Sequence, residues 1–278
     1  MGICGSIKEI KNNYRLMSET KLSISDSMKS GFQLWKKYLP KILVVGLIVY
    51  FPTQICIELI SMLFENVFSI EENPDNLRLM NNIYDLIRYL IGSVALLGIL
   101  NFIINKLENE DEDEQSSRDI ILHGLKKWPN FIGVGFVAGL KILGYTLLLI
   151  IPGIYKSVQL SFIDCEVATN GYKITDPCDA SEQLVENHWW KVFGFLLLMF
   201  LLEFIFELLF VIPLLLNSES HIISILLGVT IKLFETYFIV VKANYYFRLK
   251  KLENSKIITN ELENEINETQ QETEITAI

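Results

Sequence analysis

Six apolar stretches, separated by polar segments, run along most of this chain. A bilayer core about 30 Å thick requires about 20 apolar residues in a helix that rises about 1.5 Å per residue. Most of the six stretches meet that length, so the pattern predicts an all-α polytopic membrane protein with about six transmembrane helices. The predicted spans are residues 42–63, 83–104, 131–151, 154–168, 192–216 and 222–247.

The fourth predicted span is the shortest and the most polar of the six. It contains Lys156, Asp164 and Glu166, which need shelter from neighbouring helices or a position near the membrane surface. Five spans and a re-entrant segment are therefore the alternative to six.

A polar stretch of helical periodicity precedes three of the spans and repeats with the same spacing. The first two copies share an aspartate, a glycine and a tryptophan: Asp26, Gly31 and Trp35 match Asp119, Gly124 and Trp128. The third copy begins at Asp176 and matches the first at Gln183-Leu184. The recurrence predicts three repeats of two helices each, at residues 22–104, 116–173 and 174–251.

These polar stretches predict amphipathic helices that lie at the membrane surface. In the first copy the apolar residues share one side of the helix. Ser25 or Asp26 is the expected N-cap of the first copy, and Thr175 or Asp176 is the expected N-cap of the third. Binding of a lipid headgroup or an amphiphilic peptide is the alternative role. The candidate interfacial anchors are Trp35, Trp128, Trp189 and Trp190.

The placement of basic residues predicts the orientation in the membrane. Residues 1–41 contain eight lysines and arginines, whereas residues 64–82 contain only Arg78 among four acids. Basic residues favour the cytoplasmic side, and a further cluster at 248–251 follows the last span. We therefore expect a multi-pass protein of the bacterial plasma membrane with both termini in the cytoplasm. Six spans place all basic segments on that side, whereas five would place the last cluster outside.

Composition supports a membrane protein and identifies two acidic solvent segments. Apolar residues make up 51% of the chain, and the net charge of −9 comes largely from residues 108–114 and 252–278. Residues 1–21 are predicted as a cytoplasmic segment, 22–251 as the membrane domain, and 252–278 as a disordered acidic cytoplasmic tail. A docking role is the alternative for the acidic segments. The expected partners are the bilayer and a membrane protein or a further copy of this chain, not nucleic acid.

No motif in the sequence indicates catalysis, a cofactor or a metal. The three histidines form no zinc-protease pattern, the four cysteines have no CxxC spacing, and GxSxG and Walker A loops are absent. Gly135 and Gly139 form a GxxxG pattern, which predicts close helix packing in lipid rather than a phosphate loop. We therefore expect a protein that is not an enzyme.

Charged residues inside the spans form a candidate polar network. Glu203 and Glu207 lie one helical turn apart, and Lys141 and Lys232 are their candidate partners, with Glu235 close to Lys232 on the same span. Carboxylates in mid-bilayer are expected to be paired, protonated or turned to a wet interior. The network either fixes helix packing or forms a proton or ligand pathway.

A proline and a glycine separate the third and fourth predicted spans. Proline suits the first turn of a helix, and glycine allows a tight reversal of the chain. We therefore expect Pro152 and Gly153 to form a short hairpin turn on the outer side of the membrane.

Three short segments resemble a known family. Residues 149–155 (LIIPGIY), Ala180-Ser181 and residues 187–194 (NHWWKVFG) are similar to the YciC-like bacterial integral membrane proteins. They also resemble the membrane domain that precedes some glycerophosphoryl diester phosphodiesterases. The resemblance covers roughly residues 22–251 and implies a helical membrane domain, commonly of six spans. The phosphodiesterase barrel is absent, so the resemblance implies neither that activity nor any catalytic residue.

The expected function is that of a non-enzymatic integral membrane protein. It would interact with lipid, a membrane partner or a membrane-active peptide, as an accessory or immunity factor does. A transporter or permease component is the first alternative, because repeats and charged spans are typical of transporters, although these repeats are parallel rather than inverted. An intramembrane enzyme is the second.

Overall fold

The structure is a computed structural model that describes residues 22–68, 74–109, 115–169, 176–216 and 221–276. Within these ranges the chain forms eight α-helices and no strand, which confirms the all-α class. The helices are α1 (Ile24–Phe68), α2 (Pro74–Glu108), α3 (Ser117–Leu148), α4 (Ile150–Gln159), α5 (Ile163–Thr169), α6 (Pro177–Glu186), α7 (Trp189–Leu216) and α8 (His221–Thr276).

The two longest helices, α1 and α8, pack against each other in antiparallel orientation. Gly31 allows their close approach, because a Cβ atom there would lie only 2.9 Å from Val241 Cγ2. One turn further along α1, Trp35 Nε1 donates a hydrogen bond of 3.1 Å to Thr236 Oγ1. Large buried side chains such as Tyr245 complete the core between these helices and their neighbours.

A similar antiparallel contact joins α2 and α3. Gly124 lies against the backbone carbonyl of Val94, where a Cβ atom would overlap the carbonyl oxygen. One turn later, Trp128 Nε1 donates to Leu90 O at 2.7 Å. The glycine and the tryptophan that recur in the sequence therefore make the same kinds of contact in α1 and α3.

The polar stretches begin helices, as predicted, but their caps differ from the prediction in one case. Ser23 caps α1, because its hydroxyl accepts from Asp26 N and its carbonyl from Ser27 N, so that Asp26 lies inside the first turn. The expected caps Ser25 and Asp26 are thus wrong. In α6 the carboxylate of Asp176 accepts from Cys178 N, which confirms that cap.

The first two polar stretches continue into the following apolar segment without a break. Pro40 and Pro52 lie inside α1, and Pro129 lies inside α3. In the third copy, a turn at residues 187–188 separates α6 from α7.

The predicted fourth span consists of two helices. A turn at residues 160–162 ends α4 and precedes α5, which is only seven residues long. Six of those seven residues are buried, Asp164 and Glu166 among them. Neighbouring helices therefore shelter the charges that made this span difficult to predict.

The reversal between α3 and α4 lies at Leu149 and not at Pro152-Gly153. Leu149 has an extended backbone (φ −163°, ψ 146°) and separates the two helices by a single residue. Pro152 lies in the first turn of α4, where its missing amide is not required. Gly153 lies against Thr146, so this glycine provides close helix contact rather than the turn.

The acidic C-terminal segment also differs from the prediction. The expected disordered tail began at residue 252, whereas α8 continues as a helix to Thr276. Leu252 and Ser255 are buried, so the helix still packs against the protein beyond the predicted boundary. Glu, Lys and Gln are good helix formers and the segment contains no proline, which accounts for the continuation.

Four helical segments within the described ranges are long and apolar enough to cross a membrane: Ile24–Leu63, Arg78–Glu108, Ser117–Leu148 and Trp189–Phe206. Many of their apolar side chains face outward, and Leu147 and Ile151 at the α3–α4 turn are each 79% exposed. Exposed apolar surface of this extent is typical of a protein surrounded by lipid. The number of crossings stays a prediction.

Candidate functional site

A cavity of about 380 Å³ lies between α1, α2, α5, α7 and α8. Its walls are mostly aromatic and aliphatic, with Tyr50, Phe195 and Met199 among them. Three basic and three acidic side chains also line it: Arg88, Asp164, Glu203, Lys232, Glu235 and Lys242. The cavity therefore combines apolar walls with a formally balanced set of charges.

One ion pair joins two elements across this cavity. Lys242 Nζ on α8 lies 2.7 Å from Asp164 Oδ2 on α5. Only 25% of the lysine side chain and 11% of the aspartate side chain are exposed. Charges this poorly hydrated are stable only when they are paired, so the contact fixes α5 against α8.

A second ion pair lies on α8 itself. Lys232 Nζ donates to both carboxylate oxygens of Glu235, at 2.6 and 2.8 Å. Residues three apart on a helix are neighbours on its surface, which explains the pairing. Glu203 lines the same cavity from α7, so carboxylates of two helices and the Lys232 ammonium face one space.

The structure brings part of the predicted network together and separates one member from it. Glu203, Lys232 and Glu235 line one cavity. Lys141 does not join them: its Nζ lies 3.5 Å from both Asp179 Oδ1 and Glu182 Oε1 of α6. Glu182 also pairs with Lys156 of α4, at 2.5 Å.

The position of α6 explains this difference. Helix α6 packs against α3 and α4. Lys141 of α3 therefore pairs with carboxylates of α6 and not with those of α7. The side chain of Glu207 lies outside the described part of the chain, so its predicted partner stays a prediction.

Sequence reasoning missed half of the charged lining, namely Arg88, Asp164 and Lys242. A signal for the ion pair was present, because Asp164 and Lys242 are charges of opposite sign within the fourth and sixth predicted spans. The break between α4 and α5, which turns Asp164 toward α8, has no clear signal in the hydrophobic pattern.

A polar chain on the other side of α5 reinforces its position. Tyr246 OH donates to Glu166 Oε1 at 2.8 Å, and Lys250 Nζ donates to the same phenolic oxygen at 3.1 Å. The short helix α5 is thus tied to α8 through both of its carboxylates.

Three of the four predicted tryptophan anchors use their indole N–H inside the protein. Trp35 and Trp128 donate as described above, and Trp189 Nε1 donates to Tyr155 O of α4 at 3.2 Å. The side chain of Trp190 is different, with 78% of the residue exposed. An interfacial role stays a prediction for all four.

A polar cluster joins the α6–α7 turn to the C-terminal half of α8. Lys256 Nζ lies 2.9 Å from His188 Nε2, and Glu253 Oε2 lies 3.4 Å from the same nitrogen. Burial of the imidazole, followed in effect by the charge of Lys256, lowers the pKa of His188, although Glu253 opposes the shift. A neutral imidazole whose Nε2 accepts from Lys256 is consistent with that direction.

Comparison with family models, with curated proteins and with solved structures finds no match to this chain. The described residues also contain no group of three or more His, Cys, Asp or Glu side chains able to hold a metal ion. The cavity itself has the features of a binding site, since its paired charges can bind a polar group and its aromatic walls an apolar chain.

Proposed function

We propose that this chain is a non-enzymatic integral membrane protein that binds a zwitterionic amphiphile in the charged cavity. The proposal rests on one observation. Three cations and three carboxylates lie together with aromatic and aliphatic walls in one cavity of about 380 Å³. A balanced set of charges matches a headgroup that itself carries both signs. An accessory role at the membrane follows from such binding, and the resemblance of the sequence to YciC-like membrane proteins is part of the same proposal.

The proposed topology has four crossings, formed by α1, α2, α7 and α8, with both termini in the cytoplasm. The α3–α4 hairpin is then inserted from the cytoplasmic side. Two contacts support this arrangement: Trp189 Nε1 donates to Tyr155 O, and His188, beside Trp189, contacts Glu253. Glu253 follows the cytoplasmic basic cluster of α8, so Tyr155 belongs near the same face.

The short separation between Leu149 and Tyr155 supports the same conclusion, even though α3 is long and apolar enough to cross a membrane. Leu149 precedes Tyr155 by six residues, which span about 9 Å of helix, far less than the bilayer thickness of about 30 Å. A turn at Leu149 therefore fails to reach the outer face. Four crossings keep the basic segments on one side, as six would. This arrangement differs from the alternative of five spans and a re-entrant segment, because neither the third nor the fourth predicted span crosses.

Lipid titration of the purified full chain tests the binding proposal. The contribution of this cavity is the difference in lipid-induced rise of melting temperature between the parent chain and a variant of the cavity. We expect that contribution to be larger for phosphatidylethanolamine than for phosphatidylglycerol, because only the phosphatidylethanolamine headgroup is zwitterionic. The double variant Glu203→Gln/Lys232→Gln should lose that stabilisation. Asp179→Asn, which removes a carboxylate from the Lys141 cluster outside the cavity, is the matched control and should retain it.

A membrane-active peptide is the other amphiphile of this class. Cells that produce the double variant should become more sensitive to such a peptide than cells with the Asp179→Asn control. Normal lipid binding and normal resistance in the double variant, at equal folded yield, would reject the cavity as a binding site.

A transport component is the second candidate function, favoured by the charged lining between crossing helices. Reconstitution into vesicles distinguishes the two functions. A transporter moves its ligand across the bilayer, whereas a binding protein is stabilised by the ligand but does not move it. Uptake of the ligand that depends on Lys232 and Glu203 would favour transport.

A further inference from the structure

We infer that a basic cleft at the cytoplasmic ends of α1, α2 and α8 binds the phosphate group of an anionic phospholipid. This site is separate from the charged cavity, and its position relative to the bilayer rests on the proposed topology. The cleft has a volume of about 610 Å³ and opens between the first turns of α1, the last turn of α2 and residues 244–252 of α8.

The charge of this cleft has one sign. Lys37, Arg248 and Lys251 line it, and none of the described lining residues is an aspartate or a glutamate. The cavity described above differs, because its cations are matched by carboxylates. A cleft with three cations and no lining acid favours an anion with several oxygen acceptors, such as a phosphate.

The arginine in the cleft is held in place by neighbouring polar groups. Arg248 Nη2 donates to Ser30 Oγ at 3.0 Å. Asn244, which is only 2% exposed, donates through Nδ2 to the same oxygen at 2.7 Å and to Ser27 O at 2.9 Å. A guanidinium has five N–H donors, of which this bond uses one, so Arg248 is oriented and retains donors for a ligand.

The remaining lining makes the cleft amphipathic. Apolar side chains form its other walls: Leu22, Leu34, Leu107, Phe247 and Leu252. A soluble phosphate would leave these walls in contact with water, whereas the glycerol backbone and first acyl carbons of a phospholipid would cover them. The combination therefore favours a lipid over a free phosphate.

The location of the cleft is a third reason to expect an anionic lipid as its ligand. Leu107 belongs to the last turn of α2, and Arg248 and Lys251 belong to the basic cluster that follows the membrane portion of α8. Basic pockets between helices at the cytoplasmic side bind anionic headgroups, because that leaflet carries negative surface charge. In the proposed topology the cations of this cleft lie at the cytoplasmic surface of the membrane.

Titration of the detergent-solubilised full chain with phosphatidylglycerol tests the inference, with phosphatidylcholine, a zwitterion of zero net charge, as the reference lipid. The variant Lys37→Gln/Lys251→Gln removes two exposed cations of the cleft. We expect its apparent affinity for phosphatidylglycerol, from thermal stabilisation, to fall about 30-fold, or about fivefold for each lysine. The single variant Lys251→Gln should show about the fivefold loss, which keeps the test informative if the double variant folds poorly.

The matched control is Lys29→Gln/Lys36→Gln, which removes the same charge from exposed positions of α1 outside the cleft. Its affinity should stay within about twofold of the parent protein. Equal losses in both double variants would overturn the site in favour of diffuse surface charge. In the cavity variant Glu203→Gln/Lys232→Gln, which should no longer bind a zwitterionic headgroup, equal stabilisation by phosphatidylcholine and phosphatidylglycerol would overturn it as well.

Soluble glycerol phosphate separates the two sources of the anion. If it stabilises the chain as strongly as the lipid, the cleft binds a free phosphate and the lipid inference is wrong. The cavity variant Glu203→Gln/Lys232→Gln should keep full affinity for phosphatidylglycerol at the cleft. Failure of this inference is thereby distinguished from failure of the proposed cavity function.

Discussion

Lys242 on α8 and Asp164 on α5 form an ion pair of 2.7 Å at the wall of the charged cavity. The two residues are far apart in sequence and belong to different predicted spans. Their contact positions a seven-residue helix that has too few residues to be stable by itself. The pair therefore has a structural role in the cavity wall in addition to its charge.

The two single substitutions in this pair should destabilise the protein to different extents. Lys242→Met leaves the carboxylate of Asp164, 11% exposed, without its cation, whereas Asp164→Asn leaves a lysine that is 25% exposed. Loss of one partner of a fully buried pair costs about 3–5 kcal/mol, and the partial exposure of the lysine lowers that cost. Thermal unfolding in detergent should therefore rank Lys242→Met as the less stable protein.

The double variant Lys242→Met/Asp164→Asn is the control for this prediction. It removes both charges, so neither remains unpaired, and it should be more stable than Lys242→Met alone. A double variant as unstable as the sum of the two single variants would contradict a direct interaction between these residues.

Stability should decrease as the pH falls below about 6.5, the ordinary pKa of histidine. The folded protein lowers the pKa of His188, so the unfolded chain binds a proton more readily. Between the folded and the unfolded pKa the unfolded state carries more protons, and stability therefore rises with pH through that interval and is lost on acidification.

Melting temperatures between pH 5 and pH 8 measure this effect, with His188→Gln as the comparison. Glutamine keeps an acceptor for Lys256 but does not titrate, so the variant should lose part of the pH dependence. An unchanged profile in His188→Gln would assign the dependence to other groups.

Gly124 and Gly133 on α3 should respond in opposite ways to alanine. A Cβ atom at Gly124 would overlap the carbonyl of Val94 on α2, whereas nothing lies within 4 Å of the same position at Gly133. Gly124→Ala should therefore destabilise the protein by about 1–3 kcal/mol through overpacking. Gly133→Ala should be neutral or stabilising by up to about 1 kcal/mol, because alanine favours a helix. Thermal unfolding of both variants provides the comparison, and equal effects would contradict the α2–α3 contact.

The glycines also indicate how far the sequence predicts this fold. Apolar periodicity predicts the helices, and the recurrence of glycine and tryptophan identifies positions that do contact a neighbouring helix, such as Gly31 and Trp128. The GxxxG pattern at Gly135 and Gly139 predicts packing too, but no described atom lies within 4 Å of a Cβ built at either position. Local spacing identifies a surface suited to close contact, and only the tertiary arrangement determines whether a helix occupies it.

The candidate site was partly predictable for the same reason. Charges within apolar spans indicate that partners exist, and Lys232, Glu235 and Glu203 do line one cavity. The choice of partner for Lys141 depends on the position of α6 and on the break between α4 and α5. Neither is determined by the hydrophobic pattern, because both follow from which helices pack together.

Cysteine labelling tests the topology in which the α3–α4 hairpin is inserted from the cytoplasmic side. Ser69→Cys lies between α1 and α2 and should react with a membrane-impermeant maleimide added to intact cells, because that loop is expected outside. Leu149→Cys should not react from outside. Tyr155, six residues after Leu149, accepts from Trp189, and His188 beside Trp189 contacts Glu253, so that Leu149 lies near the cytoplasmic face. Glu186→Cys, an exposed position of α6, should react only when inverted vesicles are used.

Strong labelling of Leu149→Cys in intact cells, at the level of Ser69→Cys, would restore the six-span arrangement with an outer α3–α4 turn. Lack of labelling at Leu149→Cys together with labelling at Ser69→Cys would leave α1, α2, α7 and α8 as the crossings that enclose the charged cavity.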